Sequence, residues 1–313
     1  MSNKEQIKRL NHSNSGYLRS MQVSEVNLFV FVEGKECDPY FYGKICQTTR
    51  IDKIKYEIVT ANQINCESGG KKVLLDYFMY LRKKKGLITN FKGKKTGCVF
   101  FVDKDIDDIK RKLKRSIHVV YTQYYDVQNY IYKYGDLVNG ASAAASIDPN
   151  KIEKYFKYSS EWCKQVAKNW FDWVVLCYFI SNSGLTNCPN YRIHSSIQTR
   201  MCGTTDKNKY DLLIIDLASK MVISKEELTK RLVNASIRVS KYYSQDEHHR
   251  IFKGKWFSEI LSDDIKQITK TNFEEKSLSK KLPNVIVATL DFSESWADHL
   301  RRPFFEIATM LLS

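Results

Sequence analysis

Glu33, Asp103 and Asp105 are the residues whose type and spacing point first to chemistry. VNLFVFV runs up to Glu33 and CVFFV up to Asp103. Carboxyl ends of buried parallel strands are where open α/β sheets build their ligand crevice, so the two acids are expected to converge there. Asp103 and Asp105 stand two apart, and on extended chain that spacing points both side chains to one face, as two carboxylates sharing a cation require. Such oxygen ligands suit Mg²⁺ or Mn²⁺, and Mg²⁺ commonly takes one or two carboxylates plus substrate phosphate. With 50 Lys plus Arg against 35 Asp plus Glu, the net charge of +15 favours a polyanionic partner, nucleic acid or an anionic membrane surface. An acidic trio in so basic a chain makes sense if a metal bridges it to a phosphodiester. The plainer alternatives are a Glu-Gly turn and a DKDIDD helix start complementing the helix dipole.

From Arg82 to Arg115 the chain carries thirteen Lys or Arg and four Asp, a net +9. Lys83, Lys84 and Lys85, then Lys92, Lys94 and Lys95, are spaced to follow a phosphate backbone, a contact that gives affinity without sequence choice. The same run also reads as a solvated face. Lys253 and Lys255 lie among the aromatics of FKGKWF, consistent with phosphate contact or with a turn anchoring Trp256. Tyr121, Tyr124, Tyr125, Tyr130, Tyr132 and Tyr134 suit base stacking or a core. SGGKKV (68–73) lacks the first Gly and the final Ser or Thr of a P-loop, so ATP hydrolysis is not expected. Asp246, Glu247, His248 and His249 read as an exposed loop, because adjacent histidines point apart. His118 reads as structural. The eight cysteines include no CxxC pair and are expected to be reduced.

The elements that must position these groups follow from periodicity. Apolar runs at 26–32, 56–60, 98–102 and 117–122 read as strands, with helices opening at Asp38-Pro39 and over 71–85. Alternating strands and helices predict a parallel sheet. Residues 1–20 read as a polar arm, 21–138 as the catalytic domain, 139–150 (NGASAAASIDPN) as a linker and 151–313 as a mainly helical domain for dimerisation or partner contacts. Ser224 and Glu227 sign a helix start there, and NVIVATLDF (284–292) reads as a strand. No run approaches the roughly 20 apolar residues of a spanning helix, and the polar start lacks a secretory signal, so a cytoplasmic protein without membrane contact is expected.

FVEGKECDPYFY followed by CVFFVDKDIDD resembles the TOPRIM domain, the catalytic module of topoisomerases, primases and overcoming-lysogenization-defect nucleases. TQYYDVQNYI is similar to a motif of stand-alone bacterial TOPRIM proteins, among them the effector nucleases of PARIS anti-phage systems. The resemblance covers about residues 26–134. It implies an α/β fold, with a Rossmann-like parallel sheet flanked by helices. Glu33 would act as metal ligand or general acid/base, Asp103 and Asp105 would hold Mg²⁺, and Asp107 would be an outer acid. Lys35 would meet developing phosphate charge. It further implies cleavage of nucleic acid, RNA (tRNA) before DNA, as a toxic defence effector, with an ABC-type ATPase partner and a homodimer. One departure stands out: Gln128 occupies the place of the subfamily's Glu, putting a second cation in doubt and leaving a decayed, binding-only module as the alternative.

Overall fold

A computed structural model of the chain describes residues 13–64, 69–157, 161–185, 188, 191, 206–270 and 275–313. Its elements run α1 (Asn14–Val23), β1 (Leu28–Val32), α2 (Asp38–Thr48), β2 (Tyr56–Thr60), α3 (Ala61–Ile64), α4 (Lys71–Lys83), β3 (Ile88–Phe91), β4 (Lys94–Val102), β5 (Val119–Tyr121), α5 (Val127–Tyr134), α6 (Leu137–Ala145), α7 (Pro149–Lys157), α8 (Trp162–Asn169), α9 (Phe171–Asn182), α10 (Lys207–Met221), α11 (Lys225–Ser244), α12 (Lys255–Thr269), α13 (Glu275–Ile286) and α14 (Asp298–Leu312). They form an α/β chain of two compact units. The sheet unit holds the chain up to Asp103, Lys114–Thr122 and Asp291–Ser313, and the helical unit holds Lys104–Leu113 and Gln123–Leu290.

In the sheet unit, β1 lies between β2 and β4 and is parallel to both, and β5 pairs parallel with β4. All five residues of β1 are buried, which explains its continuous apolar run: a parallel strand covered on both faces needs no polar alternation. On one face Phe29, Phe31 and Phe100 pack against Leu74, Tyr77, Phe78 and Leu81 of α4, with the Phe31 and Phe100 rings stacked at 4.6 Å. Fully burying a Phe or Leu side chain contributes about 1.5–3 kcal/mol, so this layer is a main source of the unit's stability. Tyr42 of α2 stacks on Phe101 at 4.4 Å, and α14 comes so close to β4 that a Cβ on Gly97 would lie 3.1 Å from Leu311.

Several expectations are corrected. No strand is expected over residues 86–97, yet β3 pairs antiparallel with the start of β4, so the sheet is mixed and not wholly parallel. Lys92 (φ 52°) and Gly93 (φ 82°) both adopt the left-handed conformation that a tight two-residue hairpin turn demands. The polar arm is partly structured, since α1 begins at Asn14; residues 1–12 lie outside the described ones. The linker expected at 139–150 is instead α6 and the start of α7. Its small residues permit close approach rather than flexibility, because a Cβ on Gly140 would stand 2.5 Å from Ile286 Cγ1. That same Ile286 explains why 284–292 forms no strand: α13 continues through it, and tertiary contact overrides β-branched propensity. The second domain also ends earlier than residue 313, since the chain from Asp291 returns to the sheet unit as α14. The helical unit begins before the expected residue 151, and within it Ser224 caps α11 by accepting the Glu227 N–H at 3.1 Å.

Candidate active site

In the β1–β4 ladder Val32 is opposite Phe101, so Glu33 leaves its strand beside Val102 and Asp103 leaves the neighbouring strand one residue further on. Neighbouring strands lie about 4.8 Å apart, so both acids emerge at one edge of the sheet, as expected from the sequence. Both are half-buried, and Glu33 Oε2 is shut off from solvent. The loop after Glu33 is held by Asp38, whose Oδ2 accepts the Gly34 N–H at 2.6 Å. Asp38 thus reaches back to the loop, while Cys37 occupies the cap position of α2. Burial pushes the Asp38 carboxyl above the usual range, and the Gly34 N–H opposes that shift. Only glycine fits at 34, because a Cβ there would lie 2.8 Å from Asp38 Oδ2. Lys35, next in the loop, is exposed.

The segment dismissed as a P-loop also meets this edge. Gly70 precedes α4 with φ 82°, and a Cβ on it would lie 3.7 Å from Glu33 Oε1. The positive end of the α4 dipole therefore faces the Glu33 carboxylate, and its first turn carries Lys71 and Lys72. Sequence reasoning missed this contribution; the signal was Gly-Lys-Lys ahead of an amphipathic helix.

Asp105 and Asp107 belong to the helical unit, where the chain is no longer extended. Asp105 is left-handed (φ 51°), and its N–H donates to the Tyr125 carbonyl at 2.7 Å. The backbone at Asp105 is therefore not the extended chain on which the paired-carboxylate expectation rests. Between Asp103 and Asp105, Lys104 is buried, donates to the Gln123 carbonyl and lies 3.6 Å from Asp108. Burial brings its ammonium down to about 8, with Asp108 resisting the shift. Arg250 donates to Asp108 at 3.3 Å and to Glu247 at 3.0 Å, completing a charge network that the sequence reading did not anticipate.

The motif around Asp126 is a clamp inside the helical unit. Asp126 and Asn129 form a reciprocal capping box at the start of α5, and Asn129 Nδ2 donates to the Phe252 carbonyl at 3.0 Å. Gly254 passes so close that a Cβ would stand 2.2 Å from Asp126 Oδ1, which explains the glycine of FKGKWF. Lys253 is turned to the Tyr191 carbonyl at 3.3 Å, whereas Lys255 is exposed. Gln128 Oε1 accepts from Ser258 Oγ at 2.9 Å, and Ser258 Oγ accepts from Tyr132 at 2.9 Å. Tyr125, Tyr130 and Tyr132 are core residues, while Tyr124 and Tyr134 pair through their hydroxyls at 2.7 Å. His248 and His249, expected on an exposed loop, are buried. His118 is structural, its Nδ1 lying 2.6 Å from the Cys98 carbonyl oxygen. No disulfide joins the six described cysteines; Cys66 and Cys202 lie outside the described residues.

The lysine clusters do not surround the carboxylates. Lys83, Lys84 and Lys85 are exposed at the far end of α4, and Lys92, Lys94 and Lys95 lie at the hairpin turn and the start of β4. From Lys94 to Val102 the strand has nine residues, which at about 3.3 Å per step spans about 26 Å. Lys94 is further occupied by donating to the Ser24 carbonyl.

Among the described residues no three His, Cys, Asp or Glu side chains gather as a ready metal cage, and no helix is long and apolar enough to cross a membrane. No family model matches the chain, and no curated protein matches it closely.

Proposed function

We propose that this chain is a Mg²⁺- or Mn²⁺-dependent TOPRIM endonuclease. The observation that carries the reading is the parallel β1–β4 register, which brings Glu33 and Asp103 to one edge of the sheet from positions seventy residues apart in the chain. An all-oxygen donor set fits a hard divalent cation, and such ions commonly use only one or two protein carboxylates, so no preformed three-ligand cage is needed. In the sheet unit Glu33 and Asp103 would hold the ion; the ligand roles of Asp105 and Asp107 rest on the TOPRIM resemblance alone. The bound ion would polarise the scissile phosphate and acidify a water. The chain's own part is positioning and charge. Asp38 fixes the Gly34 backbone and with it Glu33, the N-terminus of α4 stands beside the Glu33 carboxyl, and Lys35 meets phosphate charge at the rim.

The same resemblance supports RNA, tRNA in particular, before DNA as substrate, and a toxic role in phage defence restrained by an ABC-type ATPase. Residues of the helical unit would supply the homodimer or partner contacts, and the cytoplasm would be the site of action. The test is cleavage of labelled tRNA, other RNA and DNA by the purified full chain with Mg²⁺ or Mn²⁺, beside its Glu33→Ala variant. Loss of cleavage in the variant is expected; equal activity in both would sink the assignment. A second reading, a binding module whose catalysis has decayed, is favoured by Gln128, whose side chain is committed to Ser258. It predicts that calorimetry detects no Mg²⁺ binding sensitive to Asp103→Ala.

A further inference from the structure

The helical unit carries a cavity of about 370 Å³ that the nuclease reading does not use. Tyr178 reaches it from α9, Arg238, Lys241 and Tyr242 from α11, and Glu247 and Arg250 from the turn that follows. Glu247 is already matched, because Arg250 donates to it at 3.0 Å. Arg250's second branch donates to Asp108 at 3.3 Å, and its guanidinium lies 5.6 Å from the centroid of the Tyr242 ring. Arg238 and Lys241, three residues apart on one helix face, are exposed and have no ion-pair partner among the described residues. The two tyrosine hydroxyls and the Gln245 amide add neutral donors. Two uncompensated cations, one a planar fork suited to bidentate phosphate contact, beside aromatic rings in a small-ligand-sized cavity, define the chemistry of the guest.

We propose that this cavity binds the phosphoryl group of a nucleotide, supplied either as a free mononucleotide or as a unit of single-stranded RNA. Arg238 and Lys241 take the phosphate oxygens, and the tyrosines border the nucleoside. An anion there also draws on Arg250, so occupancy is felt at Asp108 in the turn that follows Asp105.

Calorimetry with the full chain in chelator, using AMP, a five-residue single-stranded RNA and a short polyglutamate as probes, tests this without reference to catalysis. The Arg238→Ala/Lys241→Ala variant places good helix formers at two exposed positions, and unchanged circular dichroism and melting verify its fold. At least tenfold weaker binding of AMP in that variant identifies a free nucleotide as the source. The same loss for RNA, with AMP not bound, identifies a strand. Glu33→Ala should bind as the wild type does, which separates this site from the nuclease assignment. The proposal is overturned if neither nucleotide probe binds, if both bind wild type and variant equally, or if polyglutamate binds as tightly as RNA and is lost with it. Should the double variant melt early, Arg238→Gln alone, expected to weaken binding at least threefold, decides by the same criteria.

Discussion

Neutralising the exposed lysines Lys83, Lys84 and Lys92 to Gln tests whether the basic surplus serves the carboxylate edge. Lys92 lies beyond the start of β4, about 26 Å or more from the Asp103 end, and Lys83 and Lys84 close α4, about 18 Å along the helix from its Lys71 end beside Glu33. A unit charge contributes about 0.16 kcal/mol in water at about 26 Å and about 0.23 kcal/mol at about 18 Å. A Debye length of about 8 Å lowers these about 25-fold and about 10-fold, so three lysines together shift the energy of a charge at Glu33 by about 0.05 kcal/mol. The affinity and salt dependence of a four-nucleotide RNA bound at the carboxylate edge should therefore survive the triple substitution, and so should the cleavage rate at saturation. Lys35→Gln/Lys72→Gln removes two exposed cations at the carboxylate edge. It should flatten the plot of log affinity against log salt by about 1.4, at about 0.7 per phosphate contact on a single strand. Fluorescence anisotropy of the labelled tetranucleotide across a salt series reads both. If the triple variant flattens the slope by about 2 while the Lys35/Lys72 variant leaves it unchanged, the placement of the substrate at the Glu33–Asp103 edge is wrong.

Gly140→Ala should destabilise the helical unit by about 1–3 kcal/mol in urea unfolding, since its Cβ would stand 2.5 Å from Ile286 Cγ1, and this added cost should be smaller in an Ile286→Ala background, which removes that Cγ1. His248 is held neutral by burial, which brings it from 6.5 down to about 4. The unfolded chain then takes up a proton that the folded chain refuses as pH falls from about 6.5 to about 4. The wild type should thus lose up to about 3 kcal/mol over that window relative to His248→Gln, with no further loss below it. Lys92→Asn should raise stability by up to about 1 kcal/mol, because Asn tolerates the left-handed turn position better than Lys; thermal melting shows the sign.

The apolar run through Leu28–Val32 and the acids that end two strands were legible because burial on both faces and chain reversal leave local marks. So were the α4 face, the Tyr56–Thr60 strand and the Ser224 cap. The β3–β4 hairpin was missed because Lys-Gly is a weak turn signal beside the lysine-rich composition around it. Lys104, Asp108 and Arg250 were missed because a charge network spread over 146 positions has no local spacing to read.

What the sequence determined by itself is the chemistry on offer: carboxylates after buried strands, a basic surplus, and aromatic helices. Tertiary structure decided which of these meet. The parallel register joins Glu33 to the strand that ends before Asp103, Gly70 brings the start of α4 to Glu33, and the lengths of α4 and β4 carry the lysine clusters to the opposite edge. Charge density counted along a chain ignores direction, whereas a strand of nine residues separates its two ends by more than two Debye lengths, so neighbours in sequence became strangers in electrostatics.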